Sequence, residues 1–349
     1  MGYQNETMNW SSARRAGLVL SLALTLLAGC AQPTAPSSGS SPTWSSREAA
    51  LAASLPMPAA ESYDSRYFTW EDASRSRPVL AKLYLPAGAT KPVPLIVFSH
   101  GIGGSREGYT YLGKHWAAQG VASLHLQHVG SDRSIWTGNP LAIVSRLQEA
   151  ARESEAIDRA VDVRFALDQL LSGPDGQRVD AGRIAAAGHS YGANTTLLVA
   201  GATVERNGQS LLHRDPRVKA AILISAPPFY GESRLDAILG PVQIPTLHIT
   251  ATADDIRIPG YFSGVQDRTA VYAATGSRHK WLAVFKDGSH SIFTDRLGTG
   301  GEALNPQVKA ATRELALDFL QFAWGGASDA VLTDWQRRYQ PLVAQVQQQ

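Results

Sequence analysis

The chain predicts a one-domain α/β protein with a mostly parallel central sheet of about eight strands and helices on both faces. Three observations carry that expectation. Short apolar runs such as Leu95–Ser99 and Ala220–Ser225 alternate with stretches of helical period, the pattern of βα units whose strands are buried on both sides. No repeat at solenoid periods interrupts the alternation, and no long polar linker divides residues 63–322. The composition is globular, with 44% hydrophobic and 18% charged residues, and 349 residues leave room for one large core.

The elements follow in order. Arg14 and Arg15 precede an apolar stretch, Ala16 to Ala28, that is too short to span a bilayer and reads as an export signal. It ends in Leu27-Ala28-Gly29-Cys30, which resembles the lipobox of bacterial lipoproteins. That resemblance implies cleavage before Cys30, lipid on its sulfur and a place in the cell envelope on the periplasmic side. Ala31 is not the aspartate linked to inner-membrane retention in enterobacterial lipoproteins, so the outer membrane is expected. Cys30 is the only cysteine, which excludes an intramolecular disulfide framework and any multi-cysteine metal site. No other segment has the run of apolar residues that a membrane span requires, so the lipid is the only expected contact with membrane. Residues 1–29 are thus read as a signal peptide and 30–62, rich in Ser, Pro and Ala, as a tether. The domain is expected over 63–324, and composition leaves the tail 325–349 open between a docking helix and disorder.

Within the domain, Tyr67–Trp70 and Val79–Leu85 read as an antiparallel hairpin. Leu95–Ser99 is a strand, Tyr109–Gln119 a helix and Val121–Leu126 the next strand. Ala156, Ala160, Val163, Leu167 and Leu170 mark the apolar face of a long helix that Gly173-Pro174 ends. Arg183–Ala187, Ala220–Ser225, Thr246–Thr250 and Trp281–Phe285 complete the strands, and Gln307–Phe322 is a closing helix.

Chemistry concentrates at strand ends. Gly188-His189-Ser190-Tyr191-Gly192 matches G-x-S-x-G and lies between the strand Arg183–Ala187 and the helical Ala193–Ala200. A reversal this sharp has no room for Cβ atoms beside the serine, which makes Ser190 a candidate nucleophile at the start of a helix. A serine needs a base and an orienting acid, and both follow in the order serine, acid, histidine. Asp254 and Asp255 occupy the loop after Thr246–Thr250, and His290 the loop after Trp281–Phe285. The two aspartates are not separated by pattern alone. His100-Gly101-Ile102-Gly103-Gly104 directly follows Leu95–Ser99, and its small residues let backbone N–H groups approach a developing oxyanion. The Ile102 and Tyr191 amides are the assigned donors, with His100 as a buttress of the loop.

Other readings are weaker. A dinucleotide fingerprint starting at Gly101 would need glycine where Arg106 stands, and Gly108 to Lys114 lacks the Ser/Thr of a phosphate loop, having His115 there. His125 and His128 have no carboxylate at ligand spacing, so no metal and no cofactor are expected. With 32 Lys+Arg against 30 Asp+Glu and no basic run, nucleic acid is not an expected partner.

These residues resemble bacterial α/β-hydrolases grouped with the platelet-activating factor acetylhydrolases and dienelactone-hydrolase-like esterases, roughly from Lys91 to Phe322. Phe98-Ser99-His100-Gly101-Ile102-Gly103-Gly104-Ser105-Arg106 is similar to the acetylhydrolases' F-S-H-G-x-G-x-x-R segment, and Gly188–Ala193 to their elbow. The elbow also resembles that of cutinase-like polyester hydrolases. The resemblance implies an α/β-hydrolase fold and hydrolysis of carboxylic esters through an acyl-enzyme. It favours Asp255 as the acid, since acids of this fold commonly stand four residues before a proline, as Asp255 does before Pro259. Dienelactone hydrolases proper use cysteine where Ser190 stands, which argues against their lactone substrate. Only Ala226–Pro245 separates two strands where this fold often inserts a lid, so the lid is expected to be short or absent and the substrate a small or polymeric ester with exposed acyl groups. Tyr191, His128, Trp136 and Phe229 are candidate pocket residues. The alternatives are thioesterase, lipase or polyester hydrolase chemistry on the same site, or a catalytically silent envelope lipoprotein that uses the fold for binding.

Overall fold

The computed structural model describes residues 63–349 apart from 207–208, 230–231, 259–260 and 297–300. The signal segment, Cys30 and the tether lie outside the described residues. The main strands are β1 (Tyr63–Asp72), β2 (Arg77–Pro86), β3 (Val93–Ser99), β4 (Ala122–Gln127), β5 (Val179–His189), β6 (Val218–Ile224), β7 (Thr246–Ala253), β8 (Lys280–Ser289) and β9 (Val343–Gln348). The helices are α1 (Thr110–Ala118), α2 (Ile143–Ala150), α3 (Glu153–Ser172), α4 (Tyr191–Ala200), α5 (Leu235–Leu239), α6 (Val265–Ala274), α7 (Gly301–Ala323) and α8 (Ala330–Tyr339).

The nine strands form one sheet in the order β1-β2-β4-β3-β5-β6-β7-β8-β9. Strands β4 to β8 are parallel along that order, while β1, β2 and β9 pair antiparallel at the two ends. Side-chain alternation explains the two buried faces. Ile96 and Phe98 pack on one side with Trp116 of α1 and Phe319 of α7. Leu95 and Val97 pack on the other side with Val163 and Leu167 of α3.

The order has one consequence for function. The chain leaves β3 outward to β4 and returns inward to β5, so the loops after β3 and β5 diverge at the carboxyl edge and leave a crevice there. Those are the loops that carry His100–Gly104 and Ser190.

The tail joins the sheet. In α8, Trp335 is 1% exposed and its indole N–H donates to the Ala311 carbonyl at 2.8 Å. Beyond it, β9 pairs with β8 from Trp281–Gln348 to Phe285–Val343. Among the described residues, the connection between β6 and β7 holds the short α5 alone, whereas residues 128–152, between β4 and α3, carry two 3-10 turns and α2.

Candidate active site

Ser190 stands between β5 and α4 with φ 55° and ψ −122°, a conformation rarely adopted by a residue with a side chain. The two glycines of the motif make it possible. A Cβ on Gly188 would run into the Gly192 carbonyl, and one on Gly192 into the Ser99 carbonyl. The elbow is pinned to the next strand by the Ser190 N–H, which donates to the Ile224 carbonyl at 2.9 Å.

His290 opens a 3-10 turn directly after β8. Gly288 brings that turn against Ala251, since a Cβ there would lie 2.8 Å from Ala251 Cβ. The His290 ring spans the gap: Nε2 lies 2.9 Å from Ser190 Oγ and Nδ1 lies 2.6 Å from Asp254 Oδ1. The arrangement can take a proton from the serine and stabilise the imidazolium that results.

Asp254, and not Asp255, is the carboxylate on His290. Asp255 points outward and pairs with Arg257 at 2.7 Å, with its side chain 37% exposed. Asp254 is fully buried and accepts from Thr250 Oγ1 at 2.7 Å, while Arg268 Nε lies 3.6 Å away. Burial alone would raise its pKa. The bond to His290 and the charges of His290 and Arg268 outweigh burial and hold the carboxyl well below the usual carboxylate range. The reason for the one-residue offset is the turn that follows β7: the Asp254 N–H donates to the Ala251 carbonyl at 3.1 Å and the Asp255 N–H to the Ala253 carbonyl at 2.9 Å, which folds the Asp254 carboxylate back onto Thr250 and leaves Asp255 at the surface. Thr250, four residues before Asp254, was a sequence signal for this choice.

The loop after β3 has the form expected of an oxyanion hole. The Gly103 N–H is taken by the Ser131 carbonyl at 2.8 Å and the Gly104 N–H by the Gly101 carbonyl at 3.0 Å. Among the described residues, no carbonyl or side chain accepts from Ile102 N–H or from Tyr191 N–H, the first amide of α4. The loop touches the elbow, because a Cβ on Gly101 would lie 3.2 Å from Ser190 Cβ.

Three histidines support this geometry from within. His100 is buried, its Nδ1–H donating to the Gly101 carbonyl at 2.7 Å while Nε2 accepts the His128 N–H at 3.1 Å. His128 is also fully buried, between Asp162 Oδ2 and Ser99 Oγ at 3.0 Å each, so it braces the loop and does not line a pocket. Burial lowers its pKa to about 4, and the ring is neutral at pH 7. His189 accepts from Tyr109 OH at 2.9 Å and donates to the His290 carbonyl at 2.9 Å. Burial lowers its pKa to about 3.

Of the remaining pocket candidates, Trp136 is 47% exposed and its indole N–H donates to the Gly103 carbonyl at 2.9 Å, so it flanks the loop after β3. Tyr191 is half-buried and Phe229 packs against two core clusters. Arg159, Tyr109 and Arg268 were not expected at the site from the sequence, where Arg159 reads only as a helix-surface partner of Glu155. Each is a lone residue on a helix or at its edge, and only the assembled fold brings it to the site.

The architecture is an α/β-hydrolase fold with a serine at its elbow. A family model of platelet-activating factor acetylhydrolase, isoform II, matches residues 65–140, which include the F-S-H-G-I-G-G-S-R segment and end before the elbow. No curated protein matches the chain. Among solved structures, a ferulic acid esterase from Streptomyces cinnamoneus is similar with a TM-score of 0.58 and 22% identity, over 77% of this chain and 91% of that one. A cold-adapted esterase from an Arctic intertidal metagenomic library, in its PEG-bound complex, is similar with a TM-score of 0.50 and 18% identity, over 71% of this chain and 94% of that one. Both are likenesses of fold.

Proposed function

We propose that this protein is a serine carboxylic ester hydrolase acting on short or exposed acyl esters. The observation that carries the reading is the single imidazole of His290 held between Asp254 Oδ1 and Ser190 Oγ at 2.6 and 2.9 Å. The match to the acetylhydrolase model and the likeness to esterases support ester bonds as the target class.

In this mechanism Ser190 Oγ attacks the ester carbonyl carbon as His290 Nε2 takes its proton. The carbonyl oxygen becomes an oxyanion and receives the Ile102 and Tyr191 N–H groups. His290 then gives the proton to the leaving alkoxide, and the alcohol departs. Water, deprotonated by the same nitrogen, attacks the acyl-enzyme carbonyl, and the bond to Ser190 Oγ breaks as His290 returns the proton to Oγ and the carboxylic acid leaves. Asp254 keeps Nδ1 protonated and steadies the positive charge on the ring.

The test is hydrolysis of p-nitrophenyl esters from acetate to palmitate by the chain from Ala31 onward, beside Ser190→Ala. Loss of activity on substitution is expected, with highest rates on short chains and no jump at the micelle threshold. Absence of activity on every ester together with no fluorophosphonate labelling of Ser190 would refute the reading and favour a binding lipoprotein.

We also propose export and lipid anchoring through Cys30, on the lipobox-like Leu27-Ala28-Gly29-Cys30. Incorporation of labelled palmitate that Cys30→Ser abolishes is the expected result, and equal labelling of both forms would refute it.

A further inference from the structure

Arg159 is a fully buried arginine with no carboxylate within 4 Å among the described residues. An unpaired buried cation is costly, so its hydrogen bonds and surroundings need an account. Its three donor nitrogens reach three different elements. Nε donates to Thr195 Oγ1 on α4 at 2.8 Å, Nη1 to Ser131 Oγ at 2.7 Å and Nη2 to the His100 carbonyl at 2.5 Å. The guanidinium also lies 4.5 Å from the centre of the Tyr191 ring.

Each contact leads to an oxyanion-hole amide. The His100 carbonyl stands two residues before Ile102. Ser131, the second acceptor, uses its own carbonyl to hold the Gly103 N–H at 2.8 Å, one residue after Ile102. The Ser131 hydroxyl donates to Glu155 Oε1 at 2.8 Å, which turns its lone pairs toward Arg159. Tyr191 supplies the second amide, and Thr195 lies one turn further along the same helix. One side chain therefore fixes the backbone on both sides of Ile102 and the first turn that carries Tyr191 N–H.

We propose that Arg159 is the positioning residue of the oxyanion hole, holding both donor amides in register and adding a fixed positive charge behind them. The assignment rests on the reading of Ser190 as the nucleophile. A guanidinium suits the task because its planar fork addresses three acceptors at once, which an ammonium on a flexible stem does not. Burial lowers its pKa to about 10, so it remains a cation at neutral pH. Glu155 and Asp162, the carboxylates nearest in effect, are already engaged by Arg77, Arg75 and His128. The charge is thus left to act on the negative charge that forms at the substrate oxygen, and it acts most in the transition state.

The experiment compares full-length wild type, Arg159→Lys and Arg159→Met, with thermal melts, fluorophosphonate titration, kcat and KM on p-nitrophenyl acetate, and affinity for an alkyl boronic acid that forms a tetrahedral adduct on the serine. Arg159→Lys is expected to lower kcat about 10-fold and Arg159→Met about 100-fold, with KM changed less than about 3-fold and boronate affinity falling in parallel with kcat/KM. A packing role alone would not make boronate affinity track kcat/KM at constant KM. Variants that melt like wild type and keep kcat within about 2-fold, or that lose kcat with boronate affinity unchanged, would overturn the proposal. Should Arg159→Met not fold, Ser131→Ala decides: it leaves the arginine and removes one link, and an unchanged kcat overturns the proposal where a several-fold fall at constant KM supports it. Wild type that hydrolyses no ester overturns the parent reading and this one with it, a result distinct from active wild type with equally active variants.

Discussion

The hydroxyl of Tyr109 lies 2.9 Å from Nδ1 of His189 and accepts the Gly101 N–H at 3.3 Å. It joins the loop after β3 to the elbow after β5. His189 extends the chain through its other nitrogen to the His290 carbonyl at 2.9 Å. The three loops that carry Ile102, Ser190 and His290 are therefore linked by the side chains of Tyr109 and His189.

Tyr109→Phe keeps the ring and removes the link. It leaves the His189 Nδ1 acceptor and the Gly101 donor without partners in a buried site, at a cost of about 1–3 kcal/mol. Urea melts should show that loss, and kcat should fall several-fold. A variant as stable and as active as wild type would count against the linkage.

The acid is tested by a pair of substitutions. Asp254→Asn should lower kcat by about 10⁴-fold, because an amide no longer enforces the tautomer that leaves Nε2 free to accept from Ser190. Asp255→Asn, at the exposed Arg257 pair, should stay within about 2-fold of wild type, since exposed ion pairs contribute little. The reverse outcome would restore Asp255 as the acid.

The elbow admits no Cβ at Gly192. Gly192→Ala should cost about 3 kcal/mol or prevent folding, because the contact is with the backbone carbonyls of Ser99 and His100 and neither can move without displacing β3. Gly108→Ala is the control, as a Cβ there would meet only the Ser105 carbonyl at an ordinary 3.5 Å. Circular dichroism melts of the two variants compare them directly.

Stability should decline on acidification below neutrality. Burial lowers the pKa of His125, His189 and His248 to about 3 in the folded protein, against an unperturbed value of 6.5. The unfolded chain binds more protons than the folded one between these values. Their contribution is therefore complete above about pH 6.5 and is lost as pH falls toward about 3. His248 lies against Thr246 Oγ1 at 3.2 Å and edge-on to Tyr272, away from Ser190 and His290. His248→Gln should lower the slope of unfolding free energy with pH by about 1 kcal/mol per pH unit in that window. An unchanged slope would mean that this ring titrates alike in both states.

The tail belongs to the fold, and Trp335→Ala measures it. Removing a fully packed indole from the contact with α7 should cost about 3–5 kcal/mol, read by denaturant melts. A loss below about 1 kcal/mol would mark α8 as peripheral.

Local chemistry alone determined much of this protein. The apolar runs of β3, β5, β6, β7 and β8 needed no tertiary information, because strands buried on both faces must be continuously apolar. The elbow, the glycine loop and His290 were legible because each requires a particular residue at a strand end, where topology puts a crevice. Tertiary structure decided what depends on facing. Asp254 and Asp255 differ by one residue, and the turn after β7 buries one carboxylate and leaves the other in water. His128 carries the same side chain whether it lines a pocket or braces a loop, and only its burial between Asp162 and Ser99 distinguishes the two. The tail 325–349 is polar and Gln-rich, yet it forms a helix and an edge strand because an edge strand can leave one row of side chains in water while its backbone bonds are completed by β8. Arg159 and Tyr109 lie far in sequence from the groups they hold, and contacts set by the packing of α3 and α1 against the sheet are the part no local pattern encodes.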